Sequence, residues 1–236
     1  MNPKEVTIIT GASKGIGESI AYKFASEDHH VVLIGRNEER LKIVSKKINQ
    51  TGTSEYYVGS VTDPNFIKNS LTEVIEKHGK IDHLINNAGI MIIKRFEEAT
   101  LEEFQSQMET NMYGVFICTK EVLPTLIERK SGSIINISSL AGKNNFVGGT
   151  MYSTTKHALM GFTKSLMLEV RDHNIRVAVV CPGSVATDLL LNSPITPQNK
   201  GKILQPDDVA EVVFSIIKLP PRALVSEIEI RPTNPI

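Results

Sequence analysis

Tryptophan is absent, cysteine is nearly so with two residues, and there is no excess of either charge: 26 basic side chains face 26 acidic ones across 236 residues. A neutral balance excludes the electrostatic footprint of a nucleic-acid or anionic-membrane binder, which needs a basic surplus to displace counterions. Cys118 and Cys181 stand 63 residues apart, in no CxxC pattern and beside no histidine cluster. They read as buried structural thiols in a reducing, cytoplasmic setting. No apolar run approaches the ~18 residues that a membrane helix needs, and the segment MNPKEVTIIT carries no long apolar signal stretch. Six histidines (29, 30, 78, 83, 157 and 173) are scattered with no HExxH or His-x-His pair, so no metal site and no metal catalysis is indicated. His157, a helix neighbour of Lys156 turned away by ~100°, reads as structural.

What is present is a 41% hydrophobic, 22% charged chain, long enough to hold itself together on its own core. Short β-branched runs recur at 5–10, 30–34, 54–59, 81–85, 133–138, 175–180 and 226–230, with amphipathic stretches between them. That alternation predicts βαβ units. Most runs lack a polar-apolar alternation, as strands do when helices cover both sheet faces. The expected fold is α/β: a Rossmann-type doubly wound parallel sheet of about seven strands, one domain over 1–236. Asn37 and Asp63-Pro64 read as helix starts. Long helices are expected from about Leu101 to Glu128, with a break near Asn111, and from about Met151 to Arg171. The irregular stretch from Ser184 to Gln205, rich in proline and following a strand, is expected to be a mobile substrate lid.

The first strand runs directly into Gly11-Ala12-Ser13-Lys14-Gly15-Ile16-Gly17 and then a helix. Glycines allow a tight turn and a close backbone approach to a pyrophosphate, whose charge is attracted by free N–H groups and the helix dipole. The spacing is GxxxGxG, not the commoner GxGxxG. With TGASKGIG at 10–17, Asn86-Asn87-Ala88-Gly89, Asn111, Ser139, Tyr152-x-x-x-Lys156 and Pro182-Gly183, in this order, the sequence resembles the short-chain dehydrogenase/reductase family in its compact form. The resemblance implies a nicotinamide dinucleotide bound by Gly11, Ser13, Lys14, Gly15, Ile16 and Gly17. It implies a backbone contact from Val61, passage of the Asn87, Ala88 and Gly89 backbone along the adenosine ribose, and Pro182, Gly183, Val185 and Thr187 near the nicotinamide carboxamide. Ser60 stands where relatives often have an adenine-binding Asp, and SEIEIRPTNPI ends the chain where many 3-oxoacyl thioester reductases have an Asp-Gly-Gly segment.

NAD-preferring sites place an acidic side chain at the end of the second strand. Here that position is Gly35, followed by Arg36, and with Lys14 two cations could meet the extra phosphate of NADP. NADP(H) is therefore expected over NAD(H), the alternative being solvated cations with Arg36 paired to Glu38 or Glu39.

Tyrosine has a free pKa of about 10 and is a poor proton carrier at neutral pH. Lys156, four residues on along a helix, shares its face and can stabilise the tyrosinate, so that Tyr152 gives a proton to a carbonyl or takes one from an alcohol. Ser139 is placed to hydrogen-bond the same oxygen, with Ser138 as rival on the opposite strand face. By resemblance Lys156 also binds the nicotinamide ribose, and Asn111 sits in a helix break that holds a water leading to Lys156. The implied activity is interconversion of a carbonyl and an alcohol on a small-molecule substrate: 3-oxoacyl thioester, ketone, aldehyde or hydroxy acid. The alternatives are an NAD(P)-using epimerase or lyase and a non-catalytic NAD(P) sensor. Apolar positions including Val115, Phe116, Val122, Leu159, Phe162 and Leu166 lie on several sides of the two long helices, and by resemblance these pair with a symmetry mate in a homodimer or homotetramer.

Overall fold

The computed structural model describes residues 4–197 and 199–234. Seven strands form one fully parallel sheet in the order β3-β2-β1-β4-β5-β6-β7. They are β1 (Val6–Thr10), β2 (His30–Gly35), β3 (Thr53–Val58), β4 (His83–Asn86), β5 (Gly132–Ile137), β6 (Ile175–Pro182) and β7 (Glu227–Ile230). Every residue of β1 and β4 is buried, as is every residue of β6 except half-buried Arg176, while edge strands β3 and β7 are only half covered. Continuous β-branched runs fit this arrangement because neither face meets water.

The helices are α1 (Gly15–Ser26), α2 (Glu38–Ile48), α3 (Pro64–His78), α4 (Leu101–Met108), α5 (Gly114–Arg129), α6 (Thr150–Val170), α7 (Asp188–Leu191) and α8 (Pro206–Lys218). Phe24 of α1 and Phe214 of α8 pack edge to face at 5.3 Å inside the core of one sheet side. Ile67, Leu71 and Val74 of α3, Val122 and Leu126 of α5 and Leu166 of α6 fill the core of the other. The helix starts are as expected: Asn37 accepts from Arg40 N, and Asp63 accepts from both Asn65 N and Phe66 N with Pro64 next. The sheet neighbours β1 and β4 border the point where strand order reverses, which opens a crevice at their carboxyl ends.

Three details depart from the sequence reading. The long helix does break at Asn111, but as one π-helical turn, Glu109–Tyr113, between α4 and α5. The stretch after β6 is not bare of hydrogen bonds. It contains α7, Thr196 Oγ1 lies 2.7–3.0 Å from the carbonyls of Leu190, Leu191 and Ser193 and its one hydroxyl hydrogen is shared among them, and Val185 bridges Leu204 in parallel. Proline and leucine counts hide such side-chain caps, which depend on how the chain folds back. Finally, Val115, Val122, Leu159 and Leu166 are buried within this chain, so only Phe116 (53% exposed) and the half-buried Phe162 remain outward of the six apolar helix positions.

Candidate active site

Glycine chemistry shapes the first cleft, of about 640 Å³, at the carboxyl ends of β1, β2 and β4. Gly11 and Gly15 adopt φ of +65° and +59°, which an L side chain resists. Gly17 does not line the cleft. A Cβ there would stand 2.4 Å from Gly11 O and 2.5 Å from Asn87 Nδ2, so α1 can approach β4 only at glycine. Asn87 in turn donates from Nδ2 to the carbonyls of Thr10 (3.0 Å) and Gly11 (3.3 Å). Thr10 Oγ1 accepts from Asn87 N and Ala88 N, so the end of β4 is clipped to the turn after β1. Ser13, Lys14, Ile16, Arg36, Val61, Ala88, Gly89 and Thr187 share the lining. The Ser60 hydroxyl is engaged with Thr62 at 2.8 Å.

The cations are arranged differently from the sequence expectation. Arg36 lies exposed at the rim, with no ion pair to Glu38 or Glu39 among the described residues, whereas Lys14 pairs with Asp188 at 3.0 Å across the cleft mouth. Arg40, one helical turn beyond Arg36, reaches the same carboxylate at 3.4 Å and lines the cleft. Its signal was in the sequence: Asn37 caps α2, which fixes where the third residue of that helix points. Lys14, Arg40 and Asp188 are each about half exposed, so these pairs are weak and an anionic ligand can compete for the cations.

A second cleft of about 350 Å³ adjoins the first and holds the proton-transfer candidates. Ser139, Tyr152, Lys156, Pro182, Gly183 and Val185 all line it. Lys156 is 5% exposed, donates from Nζ to Ile137 O at 3.0 Å, and stands 5.8 Å from the centre of the Tyr152 ring. Burial pushes the Lys156 ammonium down to about pKa 8 and the Tyr152 phenol up to about 12, a hydrogen bond with Ser139 pulling the latter back in part. At Tyr152 burial outweighs the other influences, so the shared helix face does not by itself lower the phenol's pKa. Ser139 Oγ accepts from Ala141 N, while the Ser138 hydroxyl turns inward toward Lys156 O at 3.4 Å.

Asn111, 1% exposed, fastens three segments together. Its Oδ1 accepts from Ile90 N at 2.8 Å, and Nδ2 donates to Ile90 O at 2.9 Å and Thr155 Oγ1 at 3.0 Å. Gly89 lies beside it; a Cβ would stand 3.2 Å from Asn111 Oδ1 and 3.9 Å from Lys156 Nζ.

A polar ladder behind the site was missed from sequence. Asn86 Nδ2 donates to Asn136 Oδ1 (2.9 Å) and Thr119 Oγ1 (3.2 Å), and Asn136 Nδ2 donates to Thr163 Oγ1 (2.8 Å). All four are buried, and they lock β4 and β5 to α5 and to α6, the helix that carries Tyr152 and Lys156. Its trace in the sequence was an asparagine inside each of two apolar strand runs, since buried amides need partners. The scattered histidines also gather: residues 29, 30, 78 and 83 form two His-Glu-His groups with Glu5 and Glu55 at the opposite end of the sheet. Spacing along one element cannot show this, because the side chains come from separate elements.

A glycine turn at the switch point of a parallel sheet, opening into half-buried Ser139 beside buried Tyr152 and Lys156, places the molecule among Rossmann-type oxidoreductases. The chain belongs to the short chain dehydrogenase family, whose model matches residues 5–197. It is 35% identical to an uncharacterized oxidoreductase of Staphylococcus saprophyticus, covering 97% of both chains. It is 36% identical to the 3-oxoacyl-[acyl-carrier-protein] reductase FabG of Aquifex aeolicus, over 89% of this chain and 88% of that one. Among solved structures it resembles an alcohol dehydrogenase of the archaeon Thermococcus sibiricus complexed with 5-hydroxy-NADP. That match has a TM-score of 0.90 and 30% identity, with 98% and 97% of the two chains covered.

Proposed function

We propose that this oxidoreductase interconverts a carbonyl compound and an alcohol with NADP(H). The observation that carries the reading is the continuity of the two clefts: Ile16, Asn87, Gly89, Ile90, Thr187 and Leu189 line both, so a dinucleotide along the first presents one end to Ser139 and Tyr152 in the second. The first cleft suits such a group because its floor is glycine backbone that any Cβ at Gly11 would fill, 2.9 Å from Ala88 Cα. Gly11, Ser13, Gly15 and Ile16 would hold the pyrophosphate, Val61, Asn87, Ala88 and Gly89 the adenosine side, and Lys156 with Pro182, Gly183, Val185 and Thr187 the nicotinamide end.

When bound, the nicotinamide supplies or accepts the hydride. The chain's own part is proton transfer and alignment. Tyr152, neutral at physiological pH, donates its phenolic proton to the carbonyl oxygen as charge builds there, or accepts one in the reverse direction. Ser139 hydrogen-bonds the same oxygen, and Lys156 adds positive charge beside it. Asn111 positions Lys156 indirectly, by fixing Ile90 and Thr155. Met91, Phe146, Leu189, Leu190 and Ile195 line the far wall, which supports a substrate with an apolar substituent next to its carbonyl. NADPH consumption over a panel of ketones, aldehydes and 3-oxoacyl thioesters tests the reading. Turnover of none of them, with NADPH bound, would favour the sensor alternative.

Cofactor choice follows from three cations at the cleft rim. With NADPH, kcat/KM should exceed that with NADH by tenfold or more, a difference of only about 1.4 kcal/mol. Arg36→Asp should reverse the order. Equal or better use of NADH by the wild-type protein would remove Lys14, Arg36 and Arg40 from phosphate recognition.

Of the stretch 184–205, whose residue 198 lies outside the described residues, Leu189, Leu190 and Ile195 line the second cleft, and we assign the stretch as a lid. Amide exchange over 188–197 should slow when cofactor and substrate are both present; equal protection in the free and ternary states contradicts the assignment. Phe116 and Phe162, 6.4 Å apart on α5 and α6, form an apolar outward pair with exposed Tyr113 nearby in sequence, which supports a homodimer or homotetramer through these helices. A one-chain mass by light scattering at micromolar concentration would refute it. Buried thiols at Cys118 and Cys181 accord with a cytoplasmic setting, and no helix among the described residues is long and apolar enough to cross a membrane.

A further inference from the structure

At the amino ends of the strands, opposite the clefts, Glu5, His29 and His83 converge. Glu5 immediately precedes β1, His29 immediately precedes β2, and His83 opens β4. The Glu5 Oε2 atom lies 3.2 Å from His83 Nε2 and 3.4 Å from His29 Nε2, and the three atoms all fall within 4.8 Å of one another. Zinc bonds imidazole nitrogen and carboxylate oxygen at about 2.0–2.2 Å, so neighbouring ligand atoms of a tetrahedral site stand roughly 3.3–3.5 Å apart. Both Glu5–His separations already match or nearly match that edge.

We propose that Glu5, His29 and His83 form a binding site for a divalent transition-metal ion of the zinc class, with water completing its coordination. Both imidazoles are 4% exposed, and their positions are fixed by the surroundings. The His29 ring lies 5.0 Å from Phe24 and 6.0 Å from Phe214, and its Nδ1 is hydrogen-bonded to Thr7 Oγ1 at 2.9 Å. A second partner of this kind, holding the far ring nitrogen while Nε2 faces the ion, is what orients metal-bound histidine. The backbones are pinned as well: His30 N donates to Glu5 O at 2.8 Å, and Asp82 N donates to Val6 O at 2.9 Å. Glu5 has a side chain 54% exposed, which leaves an entry path and room for water. A two-histidine, one-carboxylate set suits zinc better than magnesium or calcium, which prefer oxygen ligands.

The neighbouring group of His30, Glu55 and His78 is the less suitable of the two. Lys77 Nζ sits 3.0 Å from Glu55 Oε2, so an ion there would face a cation already bound to its carboxylate. Near the proposed site Lys80 is instead paired with Asp82 at 3.0 Å.

An ion at Glu5, His29 and His83 would tie together β1, β2 and β4, the strands that bear the glycine turn, and would act on stability without entering the reaction. Tag-free protein stripped with chelator and titrated with zinc should take up one equivalent that depends on this site. At about a hundredfold excess over Kd, Tm should rise by about 5 °C or more. Cobalt in place of zinc should give the visible absorption of a tetrahedral nitrogen-oxygen site. His83→Gln should abolish that uptake, and His78→Gln should leave it intact. Glu5→Gln, at a half-exposed position, should weaken binding by tenfold or more, and its rise in Tm on adding zinc, measured from its own metal-free value, should shrink accordingly. No zinc uptake, or uptake lost in His78→Gln and retained in both Glu5→Gln and His83→Gln, would overturn the proposal.

Discussion

Tyr152→Phe should lower turnover by about a hundredfold or more while NADPH binding stays within a few-fold of wild type, since general acid catalysis contributes ~10²–10⁴. The expectation rests on geometry as much as on chemistry. Tyr152 is 7% exposed and faces the second cleft beside Ser139, and loss of one oxygen leaves its ring packing unchanged. With the phenol's pKa pushed up to about 12 by burial, the free enzyme holds the proton ready across the physiological range. Rate measurement with NADPH and a working substrate, alongside fluorescence titration of NADPH, separates the two effects. Near-normal turnover in the Phe variant would show that another group carries the proton.

Lys156→Met should be almost inactive yet more stable than the wild-type chain when both are free of ligand. Burying an ammonium group is costly, and here burial brings the pKa from 10.5 down to about 8. At 1.36 kcal/mol per unit, the penalty at neutral pH is on the order of 3 kcal/mol. Removing the donor to Ile137 O returns part of it, so a net gain on the order of 1–3 kcal/mol, or several degrees in Tm, is expected. The pH dependence has a definite sign. Below about pH 8 lysine is protonated in both folded and unfolded wild-type chains, and the variant's advantage is full. Between about 8 and 10.5 the folded protein has shed the proton that the unfolded chain still binds, so wild-type stability rises with pH and the advantage shrinks. Urea unfolding of both proteins at pH 7 and pH 9.5 measures this. A variant less stable than wild type at pH 7 would show that the ammonium is a structural asset rather than a functional cost.

Much of the site was legible because its parts are local. The glycine turn is written in seven consecutive residues, the Tyr152 and Lys156 pair in one helical turn, and the caps at Asn37 and Asp63 in the residues they hold. Ser139 is preferred over Ser138 because the family resemblance matches the second serine; both line the second cleft, with the Ser138 hydroxyl donating to Lys156 O and Ser139 Oγ accepting from Ala141 N. Arg40 was overlooked although it stands three residues from a recognised cap. The lid's internal hydrogen bonds were underestimated because Thr196 has no sequence mark that distinguishes it from a solvated threonine.

By itself the sequence determined the α/β alternation, the parallel sheet with both faces covered, the phosphate turn and the candidates for proton transfer, since each depends on short-range periodicity or adjacent residues. Only the tertiary structure decided which partner a long side chain takes. Lys14 reaches Asp188 from 174 residues away, Lys156 Nζ donates a hydrogen bond to Ile137 O, and Asn86 meets Asn136 and Thr119 across the sheet and a helix. The same holds for Glu5, His29 and His83, which a parallel sheet brings together because every strand starts at one end. Strand order, not distance along the chain, makes β1, β2 and β4 neighbours and brings Glu5, His29 and His83, at their amino ends, within 4.8 Å of one another.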